Sequence, residues 1–262
     1  GGRLLPATGL DRKRVVSGAR VTAGVVLGGR RANTISYLIA LAVLLPIDRS
    51  ALRITEPERT PGTVRAGLRY AWRVPELRIA LSLTGVVAAF GFNHQVLVPL
   101  LAAKTFDGGV GVYTVLYTAI SAGSVVGALS VVRRREIELR FLVWSVIAFA
   151  LTNGCLAMSP NLALAAVAGF AAGASALLFI TAAAVLLQQS CAPSMRGRVM
   201  ALFAMVLLGG IPIGAPIVGV IADTAGPRAA LAVGSVAAAI AGGCALGHLR
   251  ARITPTRPDH RC

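Results

Sequence analysis

Long apolar runs separated by short polar gaps dominate the chain from Ile79 to Leu249. Each run holds roughly 18 to 26 residues, the length of a helix that crosses a hydrocarbon core about 30 Å thick. The fold class is therefore predicted to be all-α, a polytopic transmembrane helical bundle. The six predicted spans are Ile79–Leu101, Val110–Val132, Phe141–Met158, Leu162–Leu187, Val199–Ile221 and Ala229–Leu249.

Arginines are concentrated in every second gap between the runs. The rich gaps lie before the first run, at 133–140, at 196–198 and after Leu249, whereas the other gaps hold only Lys104 and Arg228. Cytoplasmic loops close to membrane spans carry an excess of Lys and Arg. The alternation therefore predicts a multi-pass protein of the plasma (inner) membrane, with its C-terminus in the cytoplasm.

The segments outside the six-helix block divide at changes in polarity. We expect an irregular N-terminal remnant (1–31), a short transmembrane helix (32–47), a cytoplasmic loop with an amphipathic helix (48–78), the bundle (79–249) and a basic cytoplasmic tail (250–262). This division places Arg30 and Arg31 on the outer face, against the charge rule. Together with a first residue that is Gly1 rather than methionine, that conflict leads us to expect that a preceding part is missing.

The polar segment before the first run contains one amphipathic pattern. Val64, Leu68 and Trp72 recur at helical spacing, and a stripe of arginines follows one residue later. Such a helix of about ten residues suits the headgroup layer, with the tryptophan at the interface. A solvated linker helix is the alternative interpretation.

Composition agrees with a membrane protein: 56% of residues are hydrophobic, 14% are charged and the mean hydropathy is +0.75. A net charge of +16 would otherwise suggest binding to nucleic acid. The basic residues lie at helix ends, however, and no nucleic-acid motif accompanies them, so we expect no nucleic-acid partner. The cysteines are too widely spaced for a metal site or a disulfide framework, and we expect no cofactor.

Polar side chains inside a span are costly and indicate functional positions. His94 lies within the first run between Asn93 and Gln95, and we take these three residues as candidates for the wall of a substrate cavity. The imidazole could couple transport to protons or bind an acidic ligand group. Alternatively, it is simply hydrogen-bonded to a neighbouring helix. No acidic residue lies deep in a run, so a proton-relaying carboxylate would lie either at a helix end, such as Asp223, or in a part of the molecule that is absent; Asp223 is also a gate or loop candidate.

The fifth run combines prolines and glycines in a way that predicts a bent or locally broken helix. Interrupted helices in transporters often flex or bind substrate; a kink fixed by packing is the alternative. The predicted flexing element contains Gly209, Gly210, Pro212, Gly214, Pro216 and Gly219. In the second and fourth runs, Gly123 with Gly127 and Gly169 with Gly173 form GxxxG pairs that predict close helix contacts.

Several stretches resemble the major facilitator superfamily, and more narrowly its drug and siderophore exporter branch, which includes enterobactin exporters and macrolide efflux pumps. The resemblance covers roughly Val21 to Leu249 and implies a C-terminal six-helix half preceded by one helix of the other half. In this family the substrate passes between two such halves. The stretches that carry the likeness are 93–101, 121–128, 193–202 and 219–228.

The resemblance implies a secondary active transporter, a proton-coupled exporter of a small amphipathic molecule, whose partners are the lipid bilayer, the substrate, protons and a missing N-terminal half. It also implies that Arg196 and Arg198 belong to a cytoplasmic gate. A truncated remnant or membrane scaffold that does not transport is the main alternative. A membrane-embedded enzyme is weaker, because the sequence contains no HExxH or Walker A motif and offers no catalytic residues.

Overall fold

The computed structural model describes residues 64–253 apart from positions 107, 133 and 135, together with the helical residues Thr34 and Leu38. The chain divides into two units, 1–59 and 60–262, and the second contains all the elements described below. The predictions for 1–31, for most of 32–47, for 48–63 and for the tail beyond 253 lie outside the described residues. Within the described part the fold is entirely helical.

Eight α-helices, a π-helical turn and a short 3₁₀ turn follow one another in the described part of the second unit. Six stretches are long and apolar enough to cross a membrane, which confirms an all-α polytopic bundle. The first, Pro75–Lys104, is interrupted, and we call it the broken span. The elements are α1 (Val64–Arg73), α2 (Pro75–Val86), the π turn (Val87–Gly91), α3 (His94–Lys104), α4 (Val110–Val132), α5 (Leu139–Met158), α6 (Leu162–Gln189), the 3₁₀ turn (Pro193–Met195), α7 (Arg196–Thr224) and α8 (Pro227–Ile253).

The helix ends follow from local sequence. Pro75 begins α2, where a missing backbone N–H costs nothing. Asn161 caps α6, because its Oδ1 accepts a hydrogen bond of 2.9 Å from the backbone N–H of Leu164. Gly226 separates α7 from α8 with a φ of +91°, a conformation that side chains other than glycine rarely adopt.

Contacts between helix ends define one end of the bundle, and arginines mark the other. At one end, which we call the Lys104 end, Lys104 pairs with Asp223, and the Arg228 guanidinium donates a 2.6 Å hydrogen bond to the carbonyl of Ser159. At the other, the arginine-rich end, lie Arg78, Arg140, Arg196 and Arg250. The alternation of charge in the sequence is thus an alternation between two ends of one helical bundle.

The helices pack in a defined order. Helix α4 runs along α6, α5 packs between α6 and α8, and the broken span lies against α7 and α8. Two apolar clusters form the core: one contains Phe149 and Phe179 toward the arginine-rich end, and the other contains Leu97, Leu156 and Leu231 toward the Lys104 end. The polar groups of the candidate site lie where these two clusters meet.

Glycines bring α4 and α6 into backbone contact. Gly123 and Gly127 lie directly against carbonyl groups of α6, and Gly173 lies against the carbonyl of Ile120, so that a Cβ at any of the three would overlap these groups. The hydroxyl of Ser124 donates across the interface to the carbonyl of Gly173 at 3.3 Å. The close contacts predicted from the GxxxG pairs are therefore present.

Helix α1 turns its small residues inward. Gly67 and Ala71 are buried, and Gly67 packs against Arg198 at the start of α7. Leu68 and Trp72 instead remain 42% and 56% exposed. This amphipathic helix therefore leaves an apolar stripe exposed, and the choice between a headgroup-layer helix and a solvated linker helix stays open.

Candidate functional site

The broken span changes its backbone geometry in its second half. Val87–Gly91 forms a π turn, in which the N–H of Phe92 donates to the carbonyl of Val87 at 3.1 Å. Phe92 and Asn93 then leave the helical conformation, and α3 starts at His94. Such π turns carry one residue more than a regular helix and occur frequently at functional sites.

Asn93 stabilises the break and still has an unused acceptor. Its Nδ2 donates a 2.7 Å hydrogen bond to the carbonyl of Ala89 within the π turn. The side chain is 1% exposed, and its Oδ1 is buried with no hydrogen-bond partner among the described residues. A buried polar atom without a partner is costly, so this oxygen is an unsatisfied acceptor that a hydrogen-bond donor would reach only if the break opened.

His94 joins the broken span to two other helices through Asn153. The Nε2 of His94 lies 3.1 Å from Oδ1 of Asn153 in α5. The Nδ2 of Asn153 donates to the carbonyl of Leu231 in α8 at 3.3 Å. Because the Asn153 amide uses its nitrogen for this bond, its oxygen is the acceptor, and Nε2 of His94 carries the hydrogen. A chain of two hydrogen bonds therefore links three spans.

Phe149 fills the space beside the break on the side of α5. Its ring lies 5.7 Å from the ring of Phe92 and meets the imidazole of His94 edge to face at 6.3 Å. It also lies against Gly91, where a Cβ would overlap the ring. Phe149 is fully buried and one helical turn from Asn153, so one face of α5 supplies both the apolar and the polar contact to the break.

Glycines of α7 and α8 surround the break on its other sides. Gly210 lies against Ala88, and Gly214 lies against the carbonyl of Ala89. Gly234 of α8 lies against the carbonyl of Phe90. None of these positions has room for a Cβ, so the irregular backbone of the π turn is enclosed by three residues that have no side chain.

The six residues of the predicted flexing element fall into different environments. Gly210 and Gly214 pack on the π turn, whereas Gly209 and Gly219 have open space around them. Helix α7 continues through Pro212 and Pro216 without a break. The interruption lies in the neighbouring broken span instead, and whether α7 flexes stays a prediction.

The other candidate residues do not all come together. Gln95 is exposed, and no hydrogen bond within the described part joins it to Asn93 or His94. Arg198 donates to the sulfur of Met195 at 3.5 Å at the arginine-rich end. Asp223 pairs with Lys104 at the opposite end of α7, about 40 Å away from Arg196 at 1.5 Å per residue. The gate candidates therefore form two separate groups.

Asn153 is the member of this site that the sequence did not single out. Its signal is weak, because a lone asparagine in an apolar run has no motif around it. The spacing of four residues from Phe149 was the available hint, since it places both side chains on one face of α5. The partner in α8 is a backbone carbonyl, which no side-chain pattern can reveal.

The chemistry of this group is that of hydrogen bonding. It offers an amide oxygen, an imidazole and a second amide, enclosed by aromatic and small residues. In the described part of the chain, no group of three His, Cys, Asp or Glu side chains is placed to hold a metal ion. The arrangement is suited to contacting a ligand or to holding the broken span in place.

Comparison with known proteins gives one match. A family model described as "transmembrane secretion effector" (MFS_3) matches residues 16–257, nearly the whole chain. Comparison with curated proteins and with solved structures finds no significant match.

Proposed function

The chain belongs to the transmembrane secretion effector family of major facilitator transporters, and from this we propose that it exports a small amphipathic molecule, of the drug or siderophore type, in exchange for protons. Membership of this family indicates a membrane transporter rather than an enzyme. The direction of transport, the substrate class and the coupling ion are our proposal. So is a second six-helix half that would complete the pathway.

The observation that carries the proposal is the polar group at the break. Ionisable and amide side chains inside a span are usually functional, and transporters often place their substrate sites at interrupted helices. Asn93 and His94 lie at such an interruption, about 15 Å along the helix from Lys104. We propose that they form part of the cavity wall, with Asn93 Oδ1 accepting a hydrogen bond from the substrate.

His94 is the residue through which we propose that protons are coupled. In the described part of the six spans, the acidic side chains lie at or near helix ends, as Glu76 and Asp223 do. Imidazole exchanges protons near neutral pH. Protonation would give His94 a second N–H donor without removing the first, so the bond to Asn153 could persist while the charge of the site changes.

The proposal can be tested by efflux from cells that lack their own pumps, using a panel of amphipathic drugs and siderophores. We expect the protein to lower accumulation of at least one compound. His94→Ala should remove the dependence of efflux on external pH, and Asn153→Ala should reduce the rate several-fold. Thr114→Ala, which removes an exposed hydroxyl of α4 that bonds to its own helix at Val110, is the control and should leave efflux unchanged.

Two results would count against the proposal. No efflux of any compound by well-expressed protein would favour a membrane scaffold that does not transport. Efflux by His94→Ala with an unaltered pH profile would remove the imidazole from the coupling step while leaving export intact.

We further propose that the arginine-rich end faces the cytoplasm of the plasma membrane, where Arg196 and Arg198 contribute to a gate. The excess of arginine at this end supports the orientation. Cysteines introduced at Lys104 and at Arg140 distinguish the two sides. A membrane-impermeant maleimide applied to whole cells should label the first and not the second; the reverse result would invert the orientation.

A further inference from the structure

A groove of about 390 Å³ opens between α2 and α8 at the arginine-rich end of the bundle. It is separate from the polar group at the break, which lies in the other half of the broken span. Neither the proposed cavity nor the proposed gate uses its residues. The groove therefore needs its own explanation.

The walls of the groove are apolar along most of their length. Ile79, Leu83 and Val86 line it from α2, and Ala241 and Ala245 line it from α8. The alanines make α8 thin where it faces α2, which leaves the space between the two helices. From Ile79 to Val86 the groove follows the helix for about 10 Å along the direction of the lipid chains.

The mouth of the groove is cationic and aromatic. Arg78 and His248 lie on its two sides, and Trp72 of α1 lies beside them. Within the described part of the chain, neither Arg78 nor His248 forms an ion pair with a carboxylate. Tryptophan is enriched at the level of lipid headgroups, and arginine binds phosphate well.

We propose that this groove binds a single anionic phospholipid, with its phosphate at Arg78 and His248 and one acyl chain between α2 and α8. The order of the lining groups matches such a molecule, because the positive charge lies at the membrane surface and the apolar walls follow toward the interior. A small soluble anion would leave the apolar walls empty. A peptide segment would place backbone polar groups against walls that offer few hydrogen-bond partners.

Cys244 provides a probe inside the groove. Its thiol is exposed and lines the groove, whereas Cys155 is exposed on α5 outside it, and Cys191 is buried. Alkylation of each cysteine by a maleimide can be followed by peptide mass spectrometry in the whole 262-residue chain. The ratio of Cys244 to Cys155 labelling then reports the occupancy of the groove, and labelling of Cys191 reports unfolding.

The chain would be placed in nanodiscs of phosphatidylcholine with and without phosphatidylglycerol. We expect phosphatidylglycerol to slow the alkylation of Cys244 relative to Cys155, and native mass spectrometry to find one retained phosphatidylglycerol. Arg78→Gln should weaken this protection about fivefold, the effect of one cation near an anionic surface. Arg140→Gln removes the same charge at the same end outside the groove and should have no effect.

A second variant tests the apolar part independently of charge. Ala241→Trp should fill the groove and protect Cys244 equally in both lipid mixtures, with retained phosphatidylglycerol lost from the native mass spectrum. Unchanged labelling of Cys191 would show that the variant is folded.

Three outcomes would overturn the proposal. Equal protection by both lipid mixtures in the parent protein would show that the headgroup is not recognised. Protection by inorganic phosphate alone in phosphatidylcholine discs would indicate a simple anion site. Protection of Cys244 in every condition, including Arg78→Gln, would indicate that a segment of protein covers the groove.

Discussion

Two interfaces of this bundle are lined by glycine, but the glycines have different roles in them. Between α4 and α6, Gly123, Gly127 and Gly173 bring two uninterrupted helices into backbone contact. Around the broken span, Gly210, Gly214 and Gly234 enclose a backbone that has left regular helical geometry. At the first interface, the Ser124 hydroxyl donates a hydrogen bond from α4 to α6. The second interface lies beside the imidazole of His94 and the amides of Asn153 and Asn93, of which Asn93 has an unpaired oxygen.

The difference shows two roles of small residues in a membrane, where lipid provides no hydrophobic driving force for helices to associate. Close approach of two straight helices gains packing and leaves little freedom to move. Close approach to a π turn encloses a short irregular backbone, which we expect to rearrange more easily than a straight helix. The first interface should therefore respond to substitution through stability, and the second through transport.

The largest effect is expected at the straight interface. Gly123→Ala places a Cβ against the carbonyl of Phe170, so α4 and α6 must separate along their length. We expect a loss of about 3 kcal/mol in the free energy of unfolding, measured by denaturation in detergent. Gly111→Ala, on the same helix with open space around it, is the control and should be neutral or slightly stabilising.

A smaller loss of stability with a larger loss of transport is expected at the enclosed break. Gly214→Ala places a Cβ against the carbonyl of Ala89, an overlap at least as severe as that at Gly123, but we expect the five-residue π turn to shift locally where two long helices would have to separate. We expect a loss of about 1 to 2 kcal/mol together with a several-fold lower efflux rate in the assay above. Gly243→Ala on α8, which has open space around it, is the control. If Gly123→Ala and Gly214→Ala change stability and efflux in equal proportion, the contrast between the interfaces is wrong.

Removing the hydrogen bonds beside the break should lower the free energy of unfolding by less than Gly214→Ala does. Asn153→Leu deletes both bonds that connect α5 to His94 and to Leu231. Hydrogen bonds between membrane helices contribute modestly, so we expect a loss of about 1 kcal/mol. His94→Phe keeps a ring and removes only the bond to His94: a loss equal to that of Asn153→Leu would mean that the bond to Leu231 contributes nothing.

The smallest effect is expected at the surface link between the broken span and α7. The ammonium of Lys104 lies 3.2 Å from the Asp223 carboxylate, and both side chains are substantially exposed. Exposed ion pairs contribute at most about 1 kcal/mol and are screened by salt. Lys104→Gln should therefore change the denaturation midpoint little at low salt and not at all in high salt. A clear destabilisation in high salt would mean that this end of the interface is held by more than packing.

The boundaries of the six spans could be predicted closely because hydropathy and length determine where a helix meets the headgroups. Val110–Val132 is a helix with the predicted bounds, and the third span, α5, ends at Met158 as expected. Asn93 and His94 were also identifiable, since three consecutive polar residues, Asn93 to Gln95, are conspicuous in an apolar run. Their interpretation remained open between a ligand site and a histidine bonded to a neighbour. The bond to Asn153 gives Nε2 of the ring a partner on a neighbouring helix, and the ligand site stays a prediction.

The position of the break could not be predicted, for a physical reason. Proline and glycine patterns indicate a weakened helix, and α7 has both, yet packing keeps it continuous from Arg196 to Thr224. The π turn occurs instead in a stretch of valine, alanine, phenylalanine and glycine, where Asn93 bonds back to Ala89 and glycines of two other helices leave room. The glycine contacts join residues more than 100 positions apart, and no local window contains them.

The π turn also determines in which direction the side chains of α3 point around the helix axis. A helix advances about 100° around its axis per residue, and a π turn inserts one residue into that count. If the same residues formed a regular α-helix, His94 would lie about 100° further around the axis, away from Asn153. The meeting of these two side chains therefore depends on the backbone conformation of the turn rather than on the chemistry of any side chain within it.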